Sequence, residues 1–392
     1  MRDIAFPVLR TEDISERLAD NKKSPFRRHE RVKIDDRRPS LERGLGGEGT
    51  CAFASNNASS VNAIGQIERK CSIAVVLATA VHSNVKGEDI QVAASLRGEL
   101  QPTIYRFKLG GFEVATVLDA KAIRDGLHPH YGANASVDDV HALARANNID
   151  IQRFEHPNIP TIVNTGKQLI LFDTGNGALP REYEQLSKRL PPGQTAERLA
   201  TAGYKPEDTD VIVLTHGHPD HIGGLTEGGK PVFPKARYVF GAAEFDFWKR
   251  GENVREARKF NRELYVKICT PLADRSTFIK PGDEVVPGIT AVDAAGHSPG
   301  LLAFHIESNG KRIMLTADTF TQYVMAVQRP EWHFEMDDDK DKAVATRKRM
   351  LDMLTAEKLF VAGFHMPFPG VGFMEKGQGG YRWVPHSYQL NL

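Results

Sequence analysis

Three imidazoles and a carboxylate, His216, His218, Asp220 and His221, fall within six positions directly after the apolar run Val211-Ile212-Val213-Leu214. Four aliphatic residues bounded by Asp210 and a Gly/Pro-containing loop predict a buried strand. The cluster is thereby placed on the loop at that strand's C-terminal end. Neutral imidazoles and carboxylates at such short spacing suit a borderline-soft divalent cation such as zinc. Histidine is scarce here, 14 residues in 392, so three in one loop set this segment apart from an ordinary polar turn.

One loop rarely supplies a whole metal site, and the chain offers further ligands in matching places. His297 lies in the turn Ala295-Gly296-His297-Ser298-Pro299-Gly300, after the apolar segment Ile289-Thr290-Ala291-Val292. Asp318 ends the strand-like run Ile313-Met314-Leu315-Thr316-Ala317-Asp318, and His365 follows Leu359-Phe360-Val361-Ala362-Gly363-Phe364. Taken singly, each is an ordinary turn residue at a strand end. Together they predict several strands ending on one rim.

With that ligand order the chain resembles the metallo-β-lactamase superfamily, from about Gln101 to the C-terminus, and Phe172-Asp173-Thr174-Gly175 resembles that family's early Asp-Thr-Gly turn. The resemblance implies a four-layer αβ/βα sandwich of two mixed sheets flanked by helices, with a two-metal site at one edge. It assigns His216, His218 and His297 to one metal, and Asp220, His221 and His365 to the other. Asp318 would bridge the two, and Asp220 and Asp318 would be the catalytic carboxylates. Two such ions can share a hydroxide and polarise a carbonyl or phosphoryl oxygen, so no Ser or Cys nucleophile is needed. By the same resemblance, true β-lactamases lack a bridging carboxylate at the place of Asp318, which points away from antibiotic hydrolysis. The expected reaction is cleavage of an ester, lactone or phosphotriester. The alternative is an iron-dependent redox member or a non-catalytic metal-binding relative. Zinc is the expected metal, although His and Asp ligands also accept Mn, Fe and Co.

Within the superfamily the chain is similar to the methyl parathion hydrolase group. Gly363-Phe364-His365-Met366-Pro367-Phe368-Pro369-Gly370 and Gly380-Tyr381-Arg382-Trp383-Val384-Pro385 carry that likeness, as does Glu244-Phe245-Asp246-Phe247-Trp248, whose Trp248 would line the substrate pocket. Two departures keep the substrate class open. Ala178-Leu179-Pro180 follows the Asp173 turn where that group has an aromatic residue, and Thr321 stands where the similar acyl-homoserine lactonases carry a catalytic Tyr, Tyr323 being offset by two positions.

A formal net charge of +1 makes no electrostatic case for nucleic acid or an anionic membrane as partner; the resemblance implies a small-molecule substrate. Whether the chain forms a homodimer is open. Cys51, Cys71 and Cys269 are odd in number and widely spaced, so neither a disulfide framework nor a thiolate metal site is expected. Residues 1–100 read as a disordered extension, with residues 101–392 as the catalytic domain. Inside the extension, Arg69-Lys70 and the apolar run Cys71 to Ala80 have the form of a secretory signal, too short to span a bilayer. A true signal there, with translation starting downstream, implies a periplasmic or secreted protein; otherwise the chain is cytoplasmic.

Several elements are predicted from pattern alone. Ile104–Leu109 and Phe112–Leu118 alternate as a hairpin about Gly110-Gly111, and Asn309-Gly310 marks another. Gln168–Asp173 is expected as a strand. Thr195–Ala202 is expected as a helix with Thr195 as N-cap and Gly203 as its stop, and 339–358 as a helix with acidic residues at its N-terminus.

Overall fold

A computed structural model describes residues 97–377 and 379–386 of the chain. The signal-like segment 69–80, Cys51 and Cys71 lie outside the described residues. Two seven-stranded sheets form the centre of the structure. The first runs, in spatial order, Ile104–Leu109, Phe112–Val117, Thr161–Asn164, Leu169–Phe172, Val211–Leu214, Arg237–Gly241 and Ser276–Ile279. Its first four strands pair antiparallel and its last four parallel, so it is a mixed sheet. The second runs Glu284–Val286, Ile289–Asp293, Leu302–Ser308, Lys311–Leu315, Phe360–Ala362, Val371–Gly377 and Gly380–Pro385. It is antiparallel except where Lys311–Leu315 meets Phe360–Ala362.

The apolar run Val211–Leu214 shows why the layers stack as they do. Side chains alternate across a strand. Val211 and Val213 enter the core between the sheets, with Val239, Ile289, Phe304 and Ile313, while Ile212 and Leu214 enter a second core under helices, with Leu199, Phe245, Leu264 and Tyr265. A strand covered on both faces reads as a continuous apolar run. On the far side of the second sheet, Met314, Val361 and Met374 meet Val140, Leu143, Met350 and Leu354 from the helices Val137–Ala146 and Lys340–Ala356. Helix, sheet, sheet and helix make the four layers expected.

The Asn309-Gly310 turn forms with both residues at positive φ, 49° and 75°, the geometry of a tight two-residue hairpin. Lys340–Ala356 is capped by Asp339, whose carboxylate accepts from the Lys342 N–H at 3.0 Å. Thr195 is not a cap: it is the first residue of the helix Thr195–Thr201, and its hydroxyl donates to the buried Asp119 at 2.6 Å. Asp119 also accepts from the backbone N–H groups of Asn176, Gln194 and Thr195, each at 2.9 Å. That tie between loops distant in sequence competes with a local cap and wins. Among the described residues, no helix is long and apolar enough to cross a membrane. Cys269 is a free, buried thiol that burial pushes well up from its ordinary pKa.

Candidate metal centre

The five histidines and two aspartates singled out in the sequence converge at one edge of the sandwich, beyond the ends of the strands Val211–Leu214, Ile289–Asp293, Lys311–Leu315 and Phe360–Ala362. After Leu214 the chain turns through Thr215 to His218 and into a one-turn helix, Pro219–Ile222, that opens with proline at its first position. Gly217 separates two histidines because a Cβ there would stand 2.4 Å from Trp248 Nε1 and 2.7 Å from the Tyr265 ring. Ala317 and Asp173 hold left-handed backbone, φ 44° and 59°, beside the site. Such strain persists where surrounding contacts over-determine it.

Hydrogen bonds fix the tautomer of four of the rings. His221 Nδ1 lies 2.8 Å from Asp173 Oδ2, His297 Nδ1 lies 3.0 Å from Asp337 Oδ1, and His365 Nδ1 lies 2.8 Å from the Pro157 carbonyl. His216 Nδ1 lies 3.1 Å from the Thr215 hydroxyl, which itself donates to Asp173 Oδ2 at 2.8 Å. Each partner is an acceptor, so each Nδ1 carries the proton and each Nε2 presents a lone pair. All four Nε2 atoms face inward. His218 Nδ1 stands 3.0 Å from both His216 Nε2 and His297 Nε2, and a single ring proton can satisfy only one of them. Asp318 adds its carboxylate at 3.3 Å from His297 Nε2, 3.1 Å from His365 Nε2 and 3.2 Å from His221 Nε2. Asp220 lies 3.5 Å from His365 Nε2 and 4.0 Å from His221 Nε2. His221 Nε2 and Asp318 Oδ1 are buried and, apart from each other at 3.2 Å, meet no hydrogen-bond partner.

Acceptors converging with so few donors favour a cation, a metal ion or, on His221, a proton. A tetrahedral site with metal–nitrogen bonds of about 2.0–2.1 Å has donor–donor edges of roughly 3.3 Å, and the separations above bracket that value. Burial holds His216 and His218 well below the ordinary imidazole pKa, followed by the His221 ring for His216 and by the Arg258 guanidinium and the neighbouring rings for His218, so both are neutral donors. Burial pushes His221 the same way, but Asp318, Asp173 and Asp220 outweigh it and hold His221 well above its ordinary value. Positive charge is what this half of the site favours. The residues present fit divalent ions: His216, His218 and His297 form one donor group, and His216, His221 and Asp318 a second.

The surrounding residues that orient these ligands were not legible in the sequence. Asp337 is buried between His297 and Arg347, whose guanidinium reaches its other oxygen at 2.7 Å. Burial raises the Asp337 pKa, but Arg347 overrides it and holds the carboxyl below its usual range. Glu244 accepts from the Gly217 N–H at 2.8 Å, the Gly300 N–H at 2.8 Å, Trp248 Nε1 at 2.6 Å and the Ser298 hydroxyl, tying both ligand loops to the helix Ala242–Arg250. His156 was also missed. It sits on the strand Arg153–Asn158, stacks on the His365 ring with centroids 3.9 Å apart, and can join Asp220 and His365 as a third donor group. No spacing in the sequence links residue 156 to residue 365.

Trp248 corrects an expectation. It is 0% exposed and does not line the cavity over the ligands; its ring stacks on Tyr265 behind His218. A wall position needs an open face, and Gly217, Glu244 and Tyr265 cover this one. Thr321, by contrast, does line that cavity, which has a volume of about 640 Å³.

The family model of the metallo-beta-lactamase superfamily matches residues 160–363, a span that includes six of the seven ligands and ends two residues short of His365. The chain belongs to the metallo-β-lactamase superfamily. An N-acyl homoserine lactonase of Bacillus cereus is 30% identical over 221 residues, 52% of this chain and 80% of that protein. A probable metallo-hydrolase of Mycobacterium tuberculosis is 28% identical over 176 residues, 41% of this chain and 55% of that protein. Among solved structures, AidC, a dizinc quorum-quenching lactonase in complex with a product, superposes with a TM-score of 0.67 at 28% identity, covering 73% of this chain and 98% of that one. The hydrolase AbOPH, described as in the beta lactamase superfamily, gives a TM-score of 0.66 at 26% identity, covering 74% and 100%. This superfamily member is a metal-dependent hydrolase with a site for two divalent ions. Its particular likeness to the methyl parathion hydrolase group remains an expectation from the sequence.

Proposed function

We propose that the chain is a dizinc hydrolase that opens lactones and cleaves related carboxylic esters. The observation that carries the reading is the inward convergence of four Nε2 lone pairs, His218 Nδ1 and two carboxylates, with His221 Nε2 and Asp318 Oδ1 otherwise unpartnered. Two zinc ions held there would favour hydroxide formation from water near neutral pH and would polarise the substrate's carbonyl oxygen. The chain's own residues do the rest. Asp173, Asp337 and the Pro157 carbonyl lock the ligand rings in the tautomer that leaves Nε2 free, and such partners also raise ligand basicity. His156 stands on the cavity wall against His365. Burial, then His365 and Arg124, keep it neutral, so its ring can hydrogen-bond the alcohol oxygen as the ester opens. Thr321 offers a hydroxyl from the wall where the acyl-homoserine lactonases carry Tyr.

Lactones stand first because the lactonases above are 30% and 28% identical to this chain over the aligned residues. The test is a panel of lactones, aryl esters and phosphotriesters presented to zinc-loaded protein, with products identified by mass. Ring-opened hydroxy acids as the fastest-formed products support the proposal. Turnover confined to phosphotriesters, or oxygen consumption dependent on bound iron, overturns it.

A further inference from the structure

The cavity over the metal centre is walled by more positive charge than its own anions balance. Arg124, Arg189, Arg255, Arg258 and Lys340 line it, and Glu335 is the one acidic lining residue apart from Asp220 and Asp318. Three of the five cations are engaged. Arg255 and Arg258 reach Asp338 Oδ1 at 2.8 and 3.2 Å, and Lys340 Nζ lies 3.5 Å from the Asp337 carbonyl. Glu335 pairs with His130 at 3.1 Å. Arg124 and Arg189 have no hydrogen bond or ion pair from their guanidinium groups among the described residues, and Arg124 Nε is buried without a partner.

Both free cations belong to the site. Arg124 lies on the strand Ala120–Asp125, opposite Phe154 in a ladder that sets Ala122 opposite His156. Two residues along a strand share a face, so Arg124 and His156 look the same way, into the cavity. Arg189 enters from the other wall, beside Leu186 and Leu190. Arg189 is exposed at the cavity rim, and partial burial, then Arg124 and Arg258, lower its pKa, with Asp220 alone acting in the opposite sense. Like charges crowded into a cavity cost stability until an anion joins them. A guanidinium is a planar fork matched to carboxylate and phosphate oxygens, and a cleft lined by one sign of charge concentrates ligands of the other.

We propose that Arg124 and Arg189 bind an oxyanion that the substrate carries away from its scissile bond, so that this enzyme prefers anionic esters and lactones to neutral ones. The proposal rests on the ester and lactone reading above and deepens it.

The test compares 4-nitrophenyl hydrogen glutarate with its neutral methyl ester on the full zinc-loaded chain. Glutarate and inorganic phosphate are run as competing anions at constant ionic strength, to tell a carboxylate site from a phosphate site. The anionic ester should have the higher kcat/KM by about tenfold or more, the worth of one charge-assisted hydrogen bond. In the Arg124→Gln/Arg189→Gln double variant that ratio should shrink toward one. Glutarate or phosphate should raise the Tm of the wild type and leave that of the double variant unmoved. Arg189→Gln alone, at an exposed position, keeps the test open if the double variant does not fold. A wild-type ratio of one or less, or a ratio that survives the substitutions, overturns the proposal while leaving the hydrolase reading intact. Failure to turn over either ester or any lactone overturns the reading beneath it.

Discussion

Asp337→Asn is expected to loosen the metal centre without touching a metal ligand. The carboxylate is 0% exposed and accepts on both sides, from His297 at 3.0 Å and from Arg347 at 2.7 Å. An asparagine can accept on one side only. If its oxygen faces His297, its NH2 meets the Arg347 guanidinium donor to donor, and Arg347, 1% exposed, is left as an unneutralised buried charge. Breaking a buried pair in this way costs about 3–5 kcal/mol. Arg347 keeps carbonyl partners at Pro330, 3.2 Å, and Trp332, 2.7 Å, and lies over the Phe334 ring, so the lower end, about 3 kcal/mol, is expected. If the amide turns the other way, His297 loses the acceptor that fixes its tautomer, and metal affinity falls by about 10–100-fold. Urea unfolding of metal-free protein reads the first effect, and zinc competition against a chromophoric chelator reads the second. Adding Arg347→Met to the variant removes the stranded charge, so stability should partly return while zinc affinity does not. Asp337→Asn within about 0.5 kcal/mol of wild type, with unchanged zinc affinity, would refute the reasoning.

Three further outcomes are expected. Asp318→Ala removes the carboxylate shared by both halves of the site, and metal analysis should find fewer than two ions per chain with most hydrolysis lost. Trp248→Ala should cost about 3–5 kcal/mol of stability, as for a core aromatic, and depress all substrates together; a changed substrate ranking at unchanged Tm would return Trp248 to the pocket wall. A chain starting at Gln101 should fold and hydrolyse as the full chain does, since the three cores of the described structure begin at Ile104; insoluble or inactive protein would contradict that.

The ligand loop could be read from sequence because its signal is local. Val211–Leu214 alternates into two cores, and the histidines follow within one turn of chain. His297, Asp318 and His365 were readable for the same reason, each following its own short apolar run. What orients the ligands was not. Asp337 is 40 residues from His297, and Glu244 is 27 from Gly217 and 56 from Gly300. These pairs exist only once the sheets have packed. Thr195 satisfied every local rule for a cap and was taken by Asp119, 76 residues away. Trp248 went wrong for a related reason: its neighbours in sequence gave no sign that Gly217 and Tyr265 would close over its ring.

The central claim is that two metal ions, held by His216, His218, Asp220, His221, His297, Asp318 and His365, make this chain a lactone and ester hydrolase. Zinc titration of chelator-stripped protein, with lactone hydrolysis followed at each addition, tests it most directly. Activity should start near zero and reach its plateau at two equivalents of zinc per chain. Full activity in the stripped protein, or a plateau at one equivalent, would contradict it.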